Sequence, residues 1–130
     1  MQHKVPEKIE LTLPVNSAYV SSARLTASSI SNRMGFCIDD IEDIKSAVSE
    51  ACVFIITQCN KSDGINFHLE FLIYENDIII NLTLKTNENM DNKINENDIG
   101  MKVIETLMDD IDINYCKNIF KISMKKSKLL

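Results

Sequence analysis

Alternating apolar positions open the chain. Ile9, Leu11, Leu13 and Val15 alternate with Glu10, Thr12 and Pro14, the period of a half-buried strand. Pro14 cannot donate to a ladder and marks an edge or the strand end. The period then changes. Val20, Ala23, Ala27, Ile30 and Met34 form one helical stripe. Asn16 or Ser17 is placed to cap that helix, and Gly35 follows where a left-handed C-terminal residue is common. A second stripe runs through Ile41, Ile44, Val48, Ala51, Cys52, Ile55 and Cys59. Asp39 with Glu42 three residues on predicts a capping box, and the acidic first turn suits the helix dipole. This helix should end near Asn60, before the turn Lys61-Ser62-Asp63-Gly64.

Two alternating runs follow. Phe67, Leu69, Phe71 and Ile73 share one face, as do Ile78, Ile80, Leu82 and Leu84, with a hairpin turn at Glu75-Asn76-Asp77. Residues 85–98 are polar apart from Met90 and Ile94, which predicts a mobile loop. A third helix is expected at about 99–110, with Ile99, Val103, Ile104 and Leu107 inward. Two short strands, around 111–115 and 119–124, close the chain, and Lys125–Lys128 should fray.

The order β-α-α-β-β-loop-α-β-β has too few helices to cover both faces of a five-stranded sheet. The expected fold is therefore α+β: a two-layer sandwich of a mixed, mainly antiparallel sheet with three helices on one face. Residues 1–8 form an arm, 9–126 a single domain and 127–130 a tail.

Composition narrows the function. With 14 basic and 19 acidic residues among 130, the net charge is −5. A nucleic-acid backbone binder needs a basic footprint, so direct nucleic-acid binding is not expected, and a basic patch on a protein partner suits better. No apolar run reaches the ~18–20 residues of a membrane helix, and the N-terminus has no signal-like apolar stretch. A cytoplasmic protein without membrane contact is expected. The four cysteines, at 37, 52, 59 and 116, form no CxxC pair and read as buried free thiols. With only His3 and His68 to assist, a zinc site is not expected.

Three stretches resemble a known family. ARLTASSISNRMG (23–35), DDIEDIKSAVSEAC (39–52) and GMKVIETLMDDI (100–111) look like the anti-sigma-factor serine kinases of the RsbW and SpoIIAB type, small relatives of the GHKL ATPases. They come in the family's order, and the resemblance spans about 9–126. It implies a sheet backed by three helices, with MgATP between helices and a lid. It also implies sequestration of a sigma factor, and phosphorylation of a serine on an antagonist protein that releases it.

The family's nucleotide motifs are altered here. In its E-x-x-x-N motif the Glu orients or activates the attacking hydroxyl, and the Asn one turn later holds Mg²⁺. Glu50 is present, but Phe54 stands at the Asn position and offers no oxygen to a metal. The D-x-G-x-G motif should follow the strand at 78–84, where the chain reads Thr83-Leu84-Lys85-Thr86-Asn87. The G-x-G that cradles phosphate is Asp98-Ile99-Gly100, with a carboxylate in place of one glycine. The lid region, 86–97, is short and holds Lys93 as its cation; Lys117-Asn118 replaces a Gly-Thr before the last strand. Only Glu50 and Gly100 remain, Gly100 as a relic of the phosphate site. Glu50 is a catalytic candidate if activity is retained, and otherwise an ordinary helix carboxylate. Phe54 reads as core packing that plugs the site.

Arg24 matches a first-helix arginine through which the family contacts partners, and is otherwise a solvated helix charge. Residues 9–34 match the family's dimerisation region, so a homodimer is expected. The leading expectation is an anti-sigma-like binding protein in a partner-switching circuit, gripping a sigma factor or an antagonist, with no cofactor. The alternative is an active ATP-dependent serine/threonine kinase using ATP and Mg²⁺, with Glu50 as general base and the metal on Asp98 or lid carboxylates. A third is a scaffold or dimerisation module that kept only the fold.

Overall fold

The computed structural model describes residues 5–58, 65–85 and 98–128. Strand β1 (Glu7–Pro14) leads through a 3-10 turn (Ser17–Tyr19) into helices α1 (Val20–Met34) and α2 (Ile38–Gln58). Strands β2 (Asn66–Ile73) and β3 (Asp77–Lys85), helix α3 (Ile99–Leu107) and strands β4 (Asp110–Cys116) and β5 (Ile119–Ser127) complete it. The sheet order is β1-β2-β3-β5-β4. Every pairing is antiparallel, where the sequence predicted a mixed, mainly antiparallel sheet. Helix α2 packs against both α1 and α3. Their stripes share one core with the inner rows Phe67-Leu69-Phe71, Ile78-Ile80-Leu82-Leu84 and Phe120-Ile122-Met124.

Local chemistry explains the boundaries. Asn16 Oδ1 accepts from the Ala18 amide at 2.9 Å and starts the 3-10 turn. Gly35 ends α1 at φ +89°, a conformation that costs L side chains but not glycine. Helix α2 begins one residue before Asp39, with the Cys37 carbonyl accepting from the Ile41 amide at 2.9 Å. Asp39 therefore lies inside the first turn, and the predicted capping box does not form; the acidic turn still complements the dipole. Ile99 is 80% exposed instead of inward, because it is the first residue of α3 and Met101 takes the buried position. The helix stops at Leu107, short of the predicted 110, as Met108 turns extended toward β4. The predicted loop at 86–97 and the helix end and turn at 59–64, Cys59 included, lie outside the described residues.

The expected frayed end is instead a fixed part of the fold. Strand β5 continues to Ser127, and Lys126 lies in the same inward row as Phe120, Ile122 and Met124. Its Nζ donates to the Leu107 carbonyl at 2.6 Å, at the end of α3. Asp40, Asp43 and Asp109 stand 3.7–3.9 Å from the same nitrogen. Lys128 Nζ donates to the Met34 carbonyl at 2.8 Å, at the end of α1. Cations at helix C-termini are favoured by the dipole, so the last strand fastens two helices to the sheet.

Of the expected buried thiols, Cys37 is instead exposed, just before α2, whereas Cys52 is fully buried in the core, where desolvation pushes its thiol up to about 12. The buried thiol stays neutral after the thiol of the unfolded chain ionises. Cys52 therefore costs no stability at neutral pH. Above its ordinary value near 9.0, stability should fall by up to about 1.4 kcal/mol per pH unit until the native thiol also titrates. Urea midpoints of wild type and Cys52→Ala between pH 8 and 10 measure this: the wild type should lose the more over that range.

Candidate functional site

The residues singled out by motif lie where α2 meets the start of α3. Glu50 sits midway along α2 and is partly buried. Asp98 is the N-cap of α3, and its Oδ2 accepts from the Gly100 amide at 2.8 Å. An aspartate at this position satisfies an amide that the helix itself leaves free. Both carboxylates crowd Gly100. A Cβ there would lie 2.9 Å from Asp98 Oδ2 and 2.9 Å from Glu50 Oε1. A side chain at position 100 would press on the ends of both carboxylates, and the Gly100 amide is taken by the chain's own carboxylate.

Phe54 lies one turn beyond Glu50 on α2 and is 3% exposed. Its ring meets Phe120 at a centroid distance of 5.6 Å, and Phe120 meets Tyr115 at 6.5 Å, separations typical of favourable aromatic pairs. The neighbouring Cys52 and Ile55 are fully buried. A phenyl ring from α2 therefore packs onto β5 and the core, where an asparagine would need a polar partner.

Of the other motif positions, Thr86 and Asn87 lie outside the described residues. Strand β3 runs through Thr83 and Leu84 to Lys85, with Leu84 buried opposite Phe120. Lys117 holds φ +56° in the two-residue turn between β4 and β5, a left-handed conformation that a glycine would adopt without strain.

Arg24 lies on the opposite flank of α2 from α3. It is half-buried, and its Nη1 comes within 3.5 Å of Ser49 Oγ, a long contact next to Glu50 in the chain. The structure thus brings Glu50, Asp98 and Gly100 together and sets Arg24 apart. Sequence reading missed the Arg24–Ser49 contact and the Lys126 cluster. Only the inward parity of Ile122, Met124 and Lys126 signalled the latter. Among the described residues, no cluster of three or more His, Cys, Asp or Glu is arranged to hold a metal, and no helix is long and apolar enough to cross a membrane.

No family model matches the chain. Individual relatives do. It is 40% identical over 123 residues to the serine-protein kinase RsbW of Bacillus thuringiensis (strain Al Hakam), covering 82% of this chain and 77% of that protein. The same figures hold for the RsbW proteins of Bacillus cereus (strain AH820) and Bacillus anthracis. Its backbone also matches the crystal structure of the RsbU and RsbW domains of Rv1364c from Mycobacterium tuberculosis, with a TM-score of 0.71 at 15% identity. That match covers 93% of this chain and 32% of the other, so this chain spans about a third of the larger protein. The likeness shows a shared fold. The 40% identity, sustained over most of both chains, shows kinship: the chain belongs to the RsbW family of anti-sigma-factor serine kinases.

Proposed function

We propose that this chain works by protein binding, sequestering a sigma factor or an anti-sigma antagonist, and that it does not use MgATP as a kinase substrate. The observation that carries this reading is the pair of carboxylates over Gly100: Asp98 occupies its amide, and Glu50 closes on the same point. A phosphate arriving at this helix end would meet two negative charges and an amide already bonded. The buried Phe54 ring supports the same conclusion, because it supplies no oxygen to Mg²⁺. The residues at these positions do not fit a magnesium triphosphate. Gly100 is accordingly a remnant of the phosphate site.

Thermal unfolding with and without millimolar MgATP tests this. A ligand at 100 times its Kd stabilises by about 2.7 kcal/mol, several degrees for a domain of this size. No shift is expected; a shift of that size would overturn the binding-only reading. One observation favours the rival kinase reading: Glu50 is retained in a chain 40% identical to proteins named serine-protein kinases. In that case Glu50 would serve as general base, with Asp98 as a metal ligand, and the same titration would show the shift.

The partner surface is assigned to α1, with Arg24 as its anchor, and the chain is read as a homodimer acting in the cytoplasm through residues 9–34. Exposed Leu25 beside half-buried Arg24 supports a contact there. Arg24→Ala should weaken co-purification with a sigma factor or antagonist about tenfold or more, the size of a ~1.4 kcal/mol interface contact. An undiminished complex would move the surface elsewhere.

A further inference from the structure

The sheet face turned away from the helices carries a groove of about 270 Å³ that the reading above leaves unused. Three adjacent strands place Glu10, Glu70 and Asn81 side by side: Glu10 stands opposite Glu70, and Glu70 opposite Asn81. Like charges directly across two strands disfavour each other. Lys8, half exposed, approaches Glu70 only to 3.9 Å. Asn81 is 7% exposed, and its Nδ2 donates to Glu70 Oε1 at 2.9 Å. Its Oδ1 is buried and has no donor. A buried acceptor without a partner is rare and calls for an explanation.

Other polar groups nearby do not supply that donor. Thr12 Oγ1 is engaged with His68 Nδ1 at 2.9 Å. Lys121 is exposed and stands opposite Thr83, in the neighbouring row. Asn81 lines the groove together with the exposed His68 and Lys121, so a donor reaching Oδ1 would arrive from this side. Two carboxylates and one orphaned oxygen, on strands ~4.8 Å apart, match the flat, five-donor fork of a guanidinium. The groove is smaller than the ~300–1,000 Å³ usual for small-molecule sites, and it opens on a sheet face, so it suits one side chain. The net charge of −5 favours a basic partner.

We propose that this groove receives an arginine side chain of a partner protein, held by Glu10, Glu70 and Asn81. The test is an NMR titration of the ¹⁵N-labelled chain with acetyl-Gly-Arg-Gly-amide, with the uncharged citrulline peptide and with agmatine. The arginine peptide should give saturable shifts at the Glu10, Glu70 and Asn81 amides and at the Asn81 side chain. The citrulline peptide should give none. Glu70→Gln preserves an acceptor for Asn81 and should weaken binding at least fivefold, whereas Lys121→Ala should not weaken it. Equal shifts with citrulline, no saturable shift, or undiminished binding by Glu70→Gln would overturn the proposal. Tighter binding of agmatine would reassign the groove to a small ligand. Concentration-dependent shifts at Glu70 and Asn81, which lie outside the 9–34 dimer region, without peptide would give the face to a second copy; either result also overturns it.

Discussion

Phe54→Asn is expected to lower folding stability by about 4 kcal/mol and to confer no measurable MgATP affinity. The substitution puts back the residue type that the family's E-x-x-x-N motif carries. In this chain, however, position 54 is 3% exposed and packed against Phe120. Removing a buried phenyl ring costs roughly 3–5 kcal/mol, and an asparagine amide without buried partners adds to that. The obstacles at Gly100 are untouched by the change. Urea unfolding measures the first effect, and calorimetric titration with MgATP at low temperature, where the variant stays folded, measures the second. Micromolar binding by the variant would show that the phenyl ring alone excludes nucleotide and that Asp98 and Glu50 do not oppose it. A loss below 1 kcal/mol would mean that the ring packs less tightly than its burial indicates.

Lys126→Met is expected to be nearly as damaging, at about 3 kcal/mol. The methionine keeps most of the apolar stem but removes the cation. Asp40, Asp43 and Asp109 would lose their shared counter-charge, and the Leu107 carbonyl its donor. Breaking a buried ion pair from one side costs roughly 3–5 kcal/mol. Asp109 is about half exposed, so the lower end of that range applies. A drop in the thermal midpoint of about 10 °C should accompany the loss. Additional Asp40→Asn and Asp43→Asn substitutions should restore part of it, since they remove the uncompensated charge. If the single and triple variants were equally unstable, the lysine would act through packing alone.

Legibility in the sequence followed the physics of each element. The strands and helices were readable because their faces differ in polarity: Phe67-Leu69-Phe71 keeps a period of two, and Ala23-Ala27-Ile30 a helical one. Gly35 was readable because left-handed backbone selects its residue type. Helix ends were less so. Asp39 matched a capping pattern, yet α2 starts at Ile38, because an aspartate in the first turn is favoured by the same dipole as one at the cap. The tail was misjudged because clustered lysines resemble a solvated end, and only tertiary contacts turn Lys126 inward. At the candidate site, the sequence located Glu50, Phe54 and Asp98. It could not tell that Asp98 bonds the Gly100 amide or that Glu50 closes on the same point, since both depend on how α3 docks against α2.

The strand order carries a consequence for folding. Strand β5 follows β4 in the chain, yet it lies inside the sheet, between β3 and β4. Among the described residues β4 has no other strand neighbour, so it cannot join the sheet before β5 does. The hydrogen-bonding rim of β3 stays bare through that interval, open to chaperones or to misassembly with another nascent chain. Completion of this sheet therefore waits on the insertion of β5 between two strands that precede it in the chain.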